Sequence, residues 1–165
     1  MPNLMDTIIV KRWIRNTATP RCRPESSNVQ EGNMKPYVPG EEEVFGYGAL
    51  SYCWGYCQNF TTTKASLPNY ILSIDFNALP RTLKDAVTTT RNLGLRYLWV
   101  DALCIVQDDR EDKDAEITRM GNVYQNAIIT IVAANSPGVE CGFLDYKPLP
   151  KPVPSIFRSC LTTRS

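Results

Sequence analysis

The sequence predicts a three-layer α/β domain built on a mainly parallel sheet. Three observations lead there. Short, nearly all-apolar runs bounded by turn residues recur near 47–53, 97–101 and 128–134, the pattern of strands buried on both faces. Two stretches of helical periodicity separate them. The first of these reaches the next strand through about two residues after Gly94, the short αβ connection of a parallel βαβ unit.

The elements follow in order. Residues 1–43 form an irregular N-terminal segment. Ile8-Ile9-Val10 suits a strand or a short helix equally. Pro20, Pro24, Pro36, Pro39, Gly32 and Gly40 mark loop composition from 16 onward. Six basic residues against three acidic ones in the first 36 describe a solvated arm or a phosphate-binding arm. The domain itself is expected over 44–145. Tyr47-Gly48-Ala49-Leu50-Ser51-Tyr52-Cys53 has the aromatic and small apolar content of a buried strand. Tyr70-Ile71-Leu72-Ser73-Ile74 is a further short strand candidate, suited to a hairpin.

Leu79-Pro80-Arg81-Thr82-Leu83-Lys84-Asp85 reads as a helix start, with Thr82 and Asp85 as a capping box. Leu83, Ala86, Val87, Thr90 and Leu93 fall on one face, and Gly94 closes the helix at C′. Arg96 to Val100 is the next strand, with Asp101 at its end. Six acids between Asp108 and Glu116 complement the dipole of a following helix. Its expected buried stripe is Ile117, Met120, Val123, Tyr124 and Ala127. Ile128 to Ala134 is β-branched and strand-like. The Pro-rich tail, 146–165, is expected to be poorly ordered. The alternation gives a flavodoxin-like order with right-handed crossovers.

Composition excludes several functions. Eighteen basic and seventeen acidic residues leave a net charge of +1, which gives no global case for nucleic-acid binding. No apolar run is long enough for a membrane span, and the N-terminus lacks the pattern of a signal peptide; a cytoplasmic protein is the default. With no histidine at all, no Ser-His-Asp triad, Cys-His pair or His-ligated metal can be assembled. Cys53 and Cys57 stand in a C-x3-C spacing that is weak evidence for zinc, and no metal site is expected. All six cysteines, Cys22, Cys53, Cys57, Cys104, Cys141 and Cys160, are expected as reduced thiols, with Cys53 and Cys104 buried. Neither G-x-G-x-x-G nor a P-loop motif is present.

In open α/β sheets, ligands bind outside the carboxyl ends of the strands. Ser51, Trp54, Asp101 and Cys104 lie just inside or beyond two such ends. They are expected to converge within roughly 5–12 Å in one cleft at that edge. A carboxylate at a strand end is also a common loop or cap residue, and Trp54 and Tyr124 suit a core as well as a ligand platform.

Three blocks carry a family resemblance. Tyr47-Gly48-Ala49-Leu50-Ser51-Tyr52-Cys53-Trp54-Gly55 resembles the first block of the fungal heterokaryon-incompatibility (HET) domain. Leu79 to Ala86 with Leu93 to Asp109 resembles the second, and Met120 to Ala134 with Cys141-Gly142-Phe143-Leu144 the third. The blocks stand in the family's order and spacing. The resemblance implies an effector domain in fungal non-self recognition and regulated cell death, acting through self-association or protein partners, with a distant TIR-like character. Its alternative implication is a TIR-like enzyme with NAD as substrate; a further one is an inactive, truncated member. It marks Asp101, Glu116 and Ser51 as candidate catalytic residues. Trp54, Cys104, Gln107 and Tyr124 are candidate ligand-binding residues. The chain has Tyr52 where many members have His, and Lys113 where many have Trp.

Overall fold

The computed structural model describes residues 8–10, 34–37, 45–56 and 58–145. Five parallel strands form one sheet: β1 (Ile8–Val10), β2 (Lys35–Tyr37), β3 (Tyr47–Ser51), β4 (Tyr97–Trp99) and β5 (Ile129–Val132), in the order β2-β1-β4-β3-β5. Tyr47 pairs with Tyr97, Ala49 with Trp99, Gly48 with Ile129 and Ser51 with Val132. The parallel α/β class follows the expectation. The central strands are interchanged relative to the 2-1-3-4-5 order of flavodoxin-like sheets.

This order sets the layers. The crossover from β3 to β4 moves one way along the sheet, and the crossover from β4 to β5 moves the other way. Right-handed connections in opposite directions place their helices on opposite faces. Helix α2 (Arg81–Asn92) lies in the first crossover, and helices α3 (Asp101–Cys104) and α4 (Arg110–Asn126) in the second. Tyr47 donates from its hydroxyl to the Val123 carbonyl at 2.7 Å, and Trp99 meets Tyr124 edge to face at 5.6 Å, fixing α4 over the odd-numbered side chains of β3 and β4. The core between the layers includes Leu50, Leu83, Ala86, Leu98, Trp99, Leu103 and Val123.

Local chemistry explains most boundaries. Helix α2 ends in a Schellman motif: Gly94 N–H donates to the Arg91 carbonyl and Leu95 N–H to the Thr90 carbonyl, with Gly94 at φ +71°. Asp109 caps α4 by accepting from Glu111 N–H at 3.2 Å. Pro36 occupies β2, an edge strand, where a missing N–H is tolerated.

Four expectations are corrected. The strand expected over 70–74 is largely helix α1 (Leu67–Leu72). Pro68 sits in its first turn, and Thr63 and Ser66 exchange backbone-to-hydroxyl bonds at 2.9 and 3.1 Å just ahead of it, so local capping outweighs the β-branched pattern. Only Ile74 keeps a strand contact, an antiparallel bridge to Met34. The Thr82–Asp85 capping box does not form: Pro80 occupies the cap position without a side-chain bond, and both side chains turn to the 136–144 segment instead. On α4, Ile117 is half exposed while Glu116 is buried, because the inward stripe runs 116–120–123–124 and leaves Ile117 on its flank. Finally, Cys53 is exposed rather than buried, since β3 ends at Ser51. Cys53, Cys104 and Cys141 form no disulfide, as expected; Cys22, Cys57 and Cys160 lie outside the described residues, as do the expectations for most of 1–43 and for 146–165.

Candidate functional site

Adjacent strands β3 and β4 leave the sheet in diverging directions. The chain after β3 runs through a loop towards α1 and α2, and the chain after β4 turns at once into α3. A crevice opens outside the carboxyl ends of such a pair. Asp101 stands there, as the first residue of α3, with Val100 as the extended cap residue.

The Asp101 carboxylate holds the two exits together. One oxygen accepts from the Trp54 indole N–H at 2.9 Å, and the other from the Ala102 backbone N–H at 2.6 Å. Tyr52 lies beside the same carboxylate, and its hydroxyl accepts from Gln58 Nε2 at 2.9 Å. Burial pushes the Asp101 carboxyl above its ordinary value, and the bonds from Trp54 and Ala102, with the neighbouring Tyr52 hydroxyl, pull it back. The Tyr52 phenol is pushed far up by burial and then by the neighbouring Asp101 charge. Tyr124 is raised to about 12 by burial, with smaller pushes from Asp101 and Cys104. Its hydroxyl donates to the Leu50 carbonyl at 3.0 Å.

A second strand of contacts stiffens the floor. Thr62, fully buried, donates its hydroxyl to the Leu103 carbonyl at 2.7 Å and its N–H to the Ala102 carbonyl at 2.9 Å. Gln107 N–H returns to the Thr62 carbonyl at 2.8 Å, and its side-chain amide donates to the carbonyls of Asp101 and Ile105 at 3.2 and 3.3 Å. The Cys104 thiol accepts from Val100 N–H at 3.2 Å. Among the described residues, no group of three or more His, Cys, Asp and Glu side chains is placed to hold a metal ion.

A clasp from the far side completes the edge. Gly55, at φ +71°, lies against Gly138 so closely that a Cβ there would stand 3.0 Å from Gly138 Cα; only glycine fits both the angle and the space. Thr82 contacts the Ser136 hydroxyl at 2.9 Å and accepts from Gly142 N–H at 3.1 Å. Asp85 accepts from the N–H groups of Phe143 and Leu144 at 2.6 and 3.0 Å, while Arg81 pairs with Asp145.

The candidate residues thus fall into three groups. Trp54, Asp101 and Gln107 are joined by direct bonds, Tyr124 is close enough to feel the Asp101 charge, and Cys104 ends the short helix that Asp101 begins. Ser51 lies half-buried at the end of β3, beside Val132. Glu116 is buried on α4, 3.7 Å from Arg119. Sequence reasoning did not single out Tyr52, Gln58, Thr62, Thr82 or Asp85 as members of this edge. Tyr52 carried a signal, as a polar aromatic next to Ser51 at the strand end; Gln58 and Thr62 sit in a polar loop with none.

The three sequence blocks therefore meet in space: Trp54 of the first bonds Asp101 of the second, and Gly142 of the third seats on Thr82 and Asp85. The family model for heterokaryon incompatibility protein (HET) matches residues 47–161, well over half of the chain. The chain belongs to the HET family. A curated relative, "Heterokaryon incompatibility protein 6, OR allele" of Neurospora crassa, is 30% identical over 96 residues. That alignment covers 52% of this chain and 14% of the relative, so the HET-family chain spans a small part of that protein's length. No solved structure matches it. Among the described residues, no helix is long and apolar enough to cross a membrane.

Proposed function

We propose that this HET domain is an effector of the incompatibility response, triggering growth arrest or death of a fungal cell by associating with protein partners, including further copies of itself. One observation carries this over an enzymatic reading. Asp101, the half-buried carboxylate at the strand ends, uses one oxygen to hold Trp54 and the other to hold Ala102. A carboxylate that binds ribose hydroxyls or steadies an oxocarbenium-like charge must present an acceptor to the ligand. Here the acceptors serve to lock the loops after β3 and β4 into one rigid edge.

The NAD-cleaving alternative draws its support from Glu116, a second carboxylate buried under the sheet's α4 face. Two assays separate the readings. Induced expression in a fungal host is expected to arrest growth, and the purified domain incubated with NAD is expected to release no nicotinamide above a heat-treated control. Absence of arrest overturns the effector role. Steady nicotinamide release that disappears in Glu116→Gln overturns the non-enzymatic mechanism.

A further inference from the structure

The two edges of the sheet differ in chemistry. At one edge, β2 carries Lys35 and Pro36, two devices that stop a strand edge from pairing with another chain. At the other edge, β5 pairs only with β3 among the described residues and carries neither. No charged residue occurs from Tyr124 to Val139. The strand and the residue before it nevertheless present large apolar side chains to solvent: Ile128 is 50% exposed, Ile129 38% and Val132 62%. Thr130, in the middle, is exposed as well.

We propose that β5 is a self-association edge, on which a second copy of the domain adds its own β5 antiparallel, about a two-fold axis at Thr130, to make one continuous sheet. The proposal rests on the self-association part of the function proposed above. Three features select a second copy as the occupant. A strand edge is complementary to itself in antiparallel pairing, since donors and acceptors alternate along it. A two-fold axis brings each residue near its own image, so any charge close to the axis would meet a like charge; the uncharged stretch is what such pairing requires. In this register Ile128 of one copy lies opposite Val132 of the other, so that the two most exposed apolar side chains of the edge cover each other.

The size of the contact sets its strength. Four strand residues span only about 13 Å at ~3.3 Å each, and a stable dimer buries about 800 Å² per partner. The pairing is therefore weak and populated when copies are concentrated, as befits a module switched on by proximity.

The test is sedimentation of the purified full chain over a wide concentration range, with Thr130→Lys and Thr130→Glu alone and mixed. The unsubstituted chain is expected to form a dimer at its higher concentrations. Each variant is expected to weaken it by about tenfold through like charges at the axis, and an equimolar mixture to restore it. A chain that stays monomeric throughout overturns the proposal, as does a dimer indifferent to both variants or not restored by mixing. Thermal unfolding of each variant checks folding. Amide exchange of the unsubstituted chain, expected to slow across residues 129–132 as concentration rises, tests the same edge without substitution; no slowing overturns it. Growth arrest is scored separately: a monomeric chain that still arrests its host removes this interface and leaves the effector role intact.

Discussion

Removing the Asp101 carboxylate tests the rigid edge directly. Asp101→Ala leaves two donors without their acceptor, the Trp54 indole and the Ala102 N–H. A buried donor that loses its partner costs about 1–3 kcal/mol. The Trp54 side chain is partly buried and the smaller residue admits some water, so the low end of that range applies to it. Relief of the desolvated charge offsets a further part. The net expected loss is about 2 kcal/mol, a large share of the ~5–15 kcal/mol that holds a domain folded. Urea unfolding followed by tryptophan fluorescence measures it, and Trp54→Phe in a double-mutant cycle with Asp101→Ala should give a coupling of about 1–2 kcal/mol. The pH dependence carries a sign. The folded carboxyl titrates above its unfolded value of 3.8, so the stability it contributes is fully present below that value and is lost as pH rises through the folded pKa. Asp101→Asn should abolish that slope. A loss below about 1 kcal/mol in Asp101→Ala, or zero coupling to Trp54, would refute the latch.

Three further outcomes follow from the same geometry. Gly142→Ala should destabilise by about 2 kcal/mol or more, since φ is +68° and the new Cβ would stand 2.8 Å from both Arg81 Cγ and Asp85 Oδ2; thermal unfolding reads the loss. Asp85→Ala should cost about 1–3 kcal/mol and speed amide exchange at Phe143 and Leu144, the two N–H groups it accepts. Tyr47 and Tyr124 both titrate near 12 against an ordinary 10.0. Their share of stability is therefore intact below pH 10 and lost as pH rises towards 12, and an ultraviolet titration should show these two tyrosines ionising late, together with the still more strongly raised Tyr52.

The sequence by itself determined the α/β class, the positions of the three strands β3, β4 and β5 and the end of α2. Those features rest on interactions a few residues long: an apolar run bounded by turn residues, or a glycine free to take φ +71°. The same local logic failed where a polar side chain had a choice of partner. Thr82 and Asp85 match a capping box, yet the 136–144 segment reaches them first and supplies better-placed donors and a hydroxyl. Ile117 reads as core, but the inward face of α4 falls on Glu116, Met120 and Val123 and leaves Ile117 half exposed. Only the tertiary structure brought Gln58, Tyr52, Asp101 and Trp54 together, Gln58 bonding Tyr52 and Trp54 bonding Asp101. Asp101 is 47 residues from Trp54, and what brings them together is the register of β3 against β4 and the opposite turns their chains take on leaving the sheet. Strand order and register arise from packing both faces of the sheet at once, a global condition that no short window of sequence contains.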